Sequence, residues 1–274
     1  MHPIERLRYV ARAGGAPPSS LVSEAAAALA GLAGDPAAMV TACKRLVGRH
    51  PQVGPMWWLA SRVLASVDPA AECWAVVDEL DRDPTARLLA DELGESAAVV
   101  LIGWPELAGS AVLRRGDLAV MSYDPECEAD GLVRRLHSAG SEVIEVPASG
   151  LAQAVAAADV VLVEALALGD SGVVAAAGSW AAAAVACSAE VPVVLVAGAG
   201  RVLPGRLWQA LALRLDDDPG EPWDRSWELI EERIGGLWGK VAGPGGVVPL
   251  AEALGRADCP VVAELLGPLG SVGS

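Results

Sequence analysis

The chain has 274 residues, 53% of them apolar, and its 20 basic against 35 acidic side chains leave a formal charge of −15. That apolar content excludes a largely disordered chain and suffices for one large core or two modest ones. The negative balance opposes non-specific nucleic-acid binding, and five scattered cysteines with no CxxC pair and no histidine cluster argue against a disulfide framework or a zinc site.

Residues 1–94 read as helical. Ser19 and Ser20 are placed to cap an alanine-rich helix with Glu24 in its opening turns, and Gly31 and Gly34 close it. Asp35-Pro36 opens a second helix, in which Met39, Cys43, Leu46 and Val47 form the apolar stripe. Three more are predicted at about 56–66, 69–80 and 84–93. After Gly94 the pattern changes to short apolar runs at 98–102, 118–122, 142–146, 160–163 and 191–197, most of them separated by helical stretches such as 129–140. Continuous β-branched runs alternating with helices imply a parallel sheet covered on both faces. The fold class is therefore α/β: a helical N-terminal domain over 1–94, then a doubly wound, mainly parallel Rossmann-like sheet domain over 95–267. An acidic insertion at about 216–240 carries Trp223, Trp227, Leu229, Ile230, Ile234 and Trp238, which predict an amphipathic helix lying on the body.

Ligands of such sheets bind at the carboxyl ends of strands. There the sequence predicts a loop over 164–172, holding Glu164, Gly169, Asp170 and Gly172, and then a helix over 173–189. Glu164 and Asp170 are the acids nearest the strand end and the candidates for a general acid or base. The plainer alternative has Asp170 capping the helix and Glu164 facing solvent. The N–H groups at Ser171 and Gly172 are candidate anion ligands at the helix start, opposed by the charge of Asp170 beside them. Gly178 and Ser179 serve either helix packing or ligand contact. Arg12 with Gly14 and Gly15 offers a guanidinium and flexible backbone N–H groups for a phosphate, or else a simple linker. Cys127 sits among Asp124, Glu126 and Glu128, whose charges raise a thiol pKa and disfavour a nucleophile. No metal site and no cofactor are expected.

The N-terminus has charges where a signal peptide needs an apolar run. The uncharged stretch 171–189 is dominated by alanine and glycine and runs directly into Glu190 and Pro192, which favours a buried helix over a membrane span. A cytoplasmic protein is expected.

Between residues 116 and 204 the order of elements combines with several short motifs. They are Ser122-Tyr123-Asp124-Pro125, Pro147-Ala148-Ser149, Asp159-Val160-Val161-Leu162-Val163, and Gly169-Asp170-Ser171-Gly172-Val173 continuing to Gly178-Ser179. Together they resemble the family that joins the regulatory subunits of eukaryotic translation initiation factor 2B to the isomerases of methylthioribose 1-phosphate and ribose 1,5-bisphosphate. Arg12-Ala13-Gly14-Gly15-Ala16 is similar to that family's N-terminal Arg-Gly-Ala phosphate loop. The resemblance covers most of the chain and implies a homodimer formed through the sheet domain. It also implies where catalysis should sit: a cysteine ending the first sheet strand, an aspartate in the loop after the fourth, and a lysine beyond. Those positions hold Trp104 (in Ile102-Gly103-Trp104), Ala165 and Ala176. The resemblance therefore implies a divergent, non-catalytic member that binds a small phosphorylated metabolite or a partner protein, with no nucleic acid and no membrane among its partners. Two alternatives stay open. One is an active aldose–ketose isomerase of a sugar phosphate with an acid–base site rebuilt on Glu164 or Asp170. The other is a nucleotide-binding module, although no GxGxxG follows the first strand.

Overall fold

Among the described residues five helices lead into the sheet, and most are started by residues that suit the role. In the computed structural model, which describes residues 17–125, 130–217, 220–231 and 237–267, they are α1 (Pro18–Ala30), α2 (Pro36–Arg49), α3 (Gly54–Ala65), α4 (Pro69–Asp81) and α5 (Thr85–Glu92). Asp35 and Asp68 cap α2 and α4, accepting from the N–H groups of Ala38 and Ala71 at 3.0 and 3.1 Å, with a proline at the first helical position of each. The first helix departs from the expected serine cap. Pro17 holds the cap position, and Ser19 lies inside the helix and donates its hydroxyl to Glu106.

The parallel strands form where continuous apolar runs were expected. They are β1 (Ala98–Ile102), β2 (Ala119–Tyr123), β3 (Glu142–Glu145) and β4 (Val160–Leu168), joined by α6 (Leu107–Leu113), α7 (Asp130–Ser138) and α8 (Leu151–Ala156). Next come β5 (Gly172–Ala176), α9 (Ser179–Ser188), β6 (Val193–Val196) and α10 (Gly205–Asp216). The described chain closes with β7 (Trp227–Glu231), β8 (Lys240–Gly243), β9 (Gly246–Pro249), α11 (Leu250–Gly255) and α12 (Ala263–Leu266). The main sheet runs β3-β2-β1-β4-β6-β8-β9, parallel throughout except for β9. Strand order reverses between β1 and β4, which makes their carboxyl ends the crevice where doubly wound sheets take ligands.

Both faces of this sheet are covered. Val99, Leu101 and Leu162 turn to the side packed by Leu89, Ala108 and Leu136, and Val100, Val161 and Val163 face Ala183, Ala186 and Val155. A third cluster joins α1 to α4 to Trp208 and Leu211 of α10 and to Ala167 and Val174 of β4 and β5. Here α3 lies so close to the sheet that a Cβ at Gly54 would come within 2.9 Å of the Leu166 carbonyl oxygen.

Two elements differ from the sequence reading. The strand expected at 160–163 continues to Leu168, and the chain then folds back as β5 where a helix start was expected. Alanine favours a helix by intrinsic propensity, but Val173-Val174-Ala175-Ala176 is held by antiparallel partners on both edges. One of those partners comes from the acidic insertion. Over 220–231 it is a short 3-10 turn (Pro222–Asp224) and β7 and not a helix; Ile234 lies outside the described residues, and Trp238 is buried. Trp227 and Ile230 are buried by that pairing, whereas Trp223 stays 79% exposed. Among the described residues no helix is long and apolar enough to cross a membrane.

Candidate functional site

Around the crevice between β1 and β4, two glycines let the chain approach its neighbours closely. Gly103 leaves β1 with φ at 66°, and its N–H is donated to the Tyr123 carbonyl at 2.8 Å. A Cβ there would lie 2.6 Å from the Cβ of Ala176. Gly178, with φ at 93°, caps α9, and a Cβ on it would meet the Tyr123 ring at 2.6 Å. Glycine is needed at both positions, for its left-handed backbone and for the close approach. Ala165 pairs with Ala175 across the β4–β5 hairpin, and Ala176 sits against Gly103. Trp104 follows, 40% exposed.

Glu164 is buried, not solvent-facing as its plainer reading had it. Its carboxylate accepts from the N–H groups of Glu106 (3.1 Å), Leu107 (2.7 Å) and Ala108 (2.9 Å) at the start of α6. Arg201 pairs with it at 3.0 Å, donates to the Ala165 carbonyl at 2.6 Å, and reaches Glu106 at 3.5 Å. Burial pushes the Glu164 carboxyl above its ordinary range, while Arg201 and the N–H groups of Ala108 and Leu107 pull it down. Glu106 in turn accepts from Ser19, so one polar chain links α1 to the middle of β4.

Asp170 and Ser171 are exposed on the turn between β4 and β5, closed by the Gly169 N–H donated to the Gly172 carbonyl at 2.9 Å. No helix begins there, so Asp170 caps none at that point, and Ser171 and Gly172 do not head a helical anion site. The glycines have a packing reason instead. A Cβ on Gly169 would fall 2.1 Å from the Trp208 indole, and one on Gly172 2.7 Å from it. The same indole donates its N–H to the Ser171 hydroxyl at 2.9 Å. Four steps of strand, about 13 Å at the usual rise, carry the chain from Glu164 to Leu168, so Glu164 and Asp170 do not form a pair.

The helix that does start nearby is α9, at Ser179, and its N-terminus is already occupied. Glu228 of β7 accepts from the backbone N–H of Trp180 at 2.5 Å and from those of Gly178 and Ser179. The hydroxyls of Ser122 and Ser179 are buried at this end of the sheet without a hydrogen-bond partner among the described residues. Burial raises the Glu228 carboxyl above its ordinary value of 4.5, against the N–H groups that lower it. The folded state therefore holds that proton more tightly than the unfolded chain. The resulting cost is absent below about pH 4.5, grows as pH rises through the raised folded value, and is complete above it. Melting temperatures recorded from pH 4 to 7 should show this decline in stability, and Glu228→Gln should flatten it.

Arg12, Gly14, Gly15 and Cys127 lie outside the described residues. Burial pushes the thiols of Cys43 and Cys73 up to about 12 and that of Cys259 up to about 11, which leaves them poor nucleophiles at neutral pH. Among the described residues no group of three or more His, Cys, Asp or Glu is placed to hold a metal ion. Sequence reasoning missed Arg201, Glu106 and Glu228. For Arg201 one signal existed: an arginine between an apolar strand and Val202-Leu203 needs a buried partner. Nothing in spacing joins it to Glu164, 37 positions earlier.

No protein-family model matches the chain, and no curated protein matches it by sequence. Solved structures do. Translation initiation factor 2B of Pyrococcus horikoshii OT3 superposes with a TM-score of 0.76 at 14% identity, over 92% of this chain and 98% of that one. The beta subunit of initiation factor 2B from Chaetomium thermophilum gives 0.71 at 16% identity over 97% and 93%. A chain of the tetrameric beta2-delta2 complex from the same fungus gives 0.74 at 15%, over 92% of each. At these identities the likeness is one of fold, and this chain has the fold of the initiation factor 2B subunits.

Proposed function

We propose that this chain is a non-catalytic member of the initiation factor 2B and sugar-phosphate isomerase family, acting by binding and not by turnover. On this reading it works in the cytoplasm as a homodimer, with a helical domain to about residue 94 and a sheet domain over 95–267. The observation that carries it is the state of Glu164. An aldose–ketose isomerase moves a proton between adjacent carbons, which takes an acid and a base within reach of the substrate. The Glu164 carboxylate accepts three backbone N–H groups and pairs with the Arg201 guanidinium, so its oxygens are engaged within the fold and not presented to a substrate. Ala165, Ala175 and Ala176 offer no titrating group, and Trp104 stands where the resemblance implies a thiol.

A partner protein suits the site better than a small phosphorylated metabolite. Glu228 holds the α9 N-terminus that would otherwise favour a phosphate. Trp104 at the exit of β1 and Trp180 in the first turn of α9 are 40% and 56% exposed, the residue type that anchors protein interfaces. The related beta2-delta2 complex is a tetramer, which agrees with use of this fold in assembly.

The test is to incubate the purified chain with methylthioribose 1-phosphate or ribose 1,5-bisphosphate and follow ketose formation by NMR. Loss of one acid or base typically costs about 10²–10⁴ in rate, so no product above background is expected. Turnover that Glu164→Gln or Asp170→Asn abolishes would overturn the reading in favour of a rebuilt active site. Light scattering at micromolar concentration should give twice the chain mass; a monomer would remove the homodimer.

A further inference from the structure

A cavity lies at the carboxyl ends of β6 and β8, beyond β4 from the β1–β4 crevice. It is a cleft of about 400 Å³, within the size range of small-molecule sites. Val241, Val248 and Ala253 give it an apolar floor, and the turns at 198–200 and 243–246 form two of its walls. Trp58 closes one side, packed so tightly that a Cβ on Gly200 would lie 2.6 Å from its ring.

The polar groups around this cleft are unbalanced. Four carboxylates (Asp78, Glu79, Asp83 and Asp258) line it against two guanidiniums, Arg82 and Arg256. The side-chain donors already have acceptors. Arg82 pairs with Asp78, Arg256 pairs with Glu252 and donates to the Gly245 carbonyl, and the Trp58 indole N–H is donated to the Asp258 carbonyl at 3.0 Å. Of the acids, Glu79 takes Arg62 at 2.7 Å, and Asp83 takes the N–H groups of Thr85 and Ala199 at 2.9 and 2.8 Å. The Asp258 carboxylate, exposed at the rim, has no side-chain partner among the described residues. A wall with a surplus of carboxylates, one of them without a side-chain partner, and with its side-chain donors taken favours a ligand that brings donors and positive charge over an anion.

We propose that this cleft binds a small organic amine, with an ammonium or amidinium group at Asp258 and an apolar body on Val241, Val248 and Ala253. The site is separate from the β1–β4 crevice, and the proposal does not depend on whether that crevice is catalytic.

The test uses three probes that share an indole body and differ in charge: tryptamine, tryptophol and indole-3-acetate. Titration calorimetry and thermal shifts on the full chain should rank tryptamine first and show no binding of indole-3-acetate; ligand binding to the folded state alone raises the melting temperature. Asp258→Asn should weaken tryptamine about tenfold, the effect of losing one hydrogen bond to a charged group. Because Asp258 is exposed, this variant keeps the fold, and it separates a defined site from general attraction of cations to an acidic protein. Ala257→Trp, which fills the cleft, should abolish binding with an unchanged circular dichroism spectrum. Indole-3-acetate binding as tightly as tryptamine, tryptamine affinity unmoved by Asp258→Asn, or no amine binding at millimolar concentration would each overturn the proposal.

Discussion

Replacing Arg201 by methionine is expected to destabilise the protein by about 3–5 kcal/mol, the usual effect of removing one partner from a buried ion pair. For a chain of this size that lowers the melting temperature by about 10 °C. The guanidinium is 3% exposed and serves three acceptors: Glu164, Glu106 and the Ala165 carbonyl. Without it, Glu164 keeps its three N–H donors but loses the positive charge that offsets its burial. Its carboxyl then rises further, so the deficit of Arg201→Met against the wild type should be largest at neutral pH and shrink as Glu164 is protonated. Adding Glu164→Gln should recover part of the loss, because a neutral amide needs no cation. The check is a double-mutant cycle by thermal and urea unfolding between pH 5 and 8. An Arg201→Met variant as stable as the wild type would mean that the pair does not form in solution.

Trp208→Ala should cost a similar amount, about 3–5 kcal/mol, for a different reason. The indole is 2% exposed, belongs to the cluster that joins α1–α4 to β4 and β5, and lies under the Gly169–Gly172 turn. Its removal leaves a cavity where the N-terminal helices meet the hairpin and takes away the Ser171 contact. Gly169→Ala should itself cost about 1–3 kcal/mol by overpacking against that ring. The two changes are coupled, since the clash disappears once the ring is gone. Gly169→Ala should therefore cost much less in the Trp208→Ala background, as urea unfolding of the four variants will measure. Full additivity would show that the turn does not rest on Trp208.

Much of this architecture was legible in the chain alone. Asp35-Pro36 and Asp68-Pro69 announce helices by local capping chemistry, and the valine-rich runs at 98–102 and 160–163 announce buried strands because both of their faces must be apolar. Alanine and tryptophan where the resemblance implies acid, base and thiol are likewise facts of sequence. Other features came only with the assembled fold. Val173–Ala176 carries no periodicity that separates strand from helix, and its state is set by Ala165 to Leu168 on one edge and by Trp227 to Glu231, more than 50 residues later, on the other. The turn at Gly169–Gly172 has the residues of a ligand loop, and only the indole of Trp208 beneath it gives those glycines their cause. Glu164 looks like a free acid until Arg201 and the start of α6 are brought to it. Local chemistry is written in neighbouring residues and can be read from them, whereas a buried charge or a shared strand edge takes its meaning from partners that only the folded chain brings within hydrogen-bond distance.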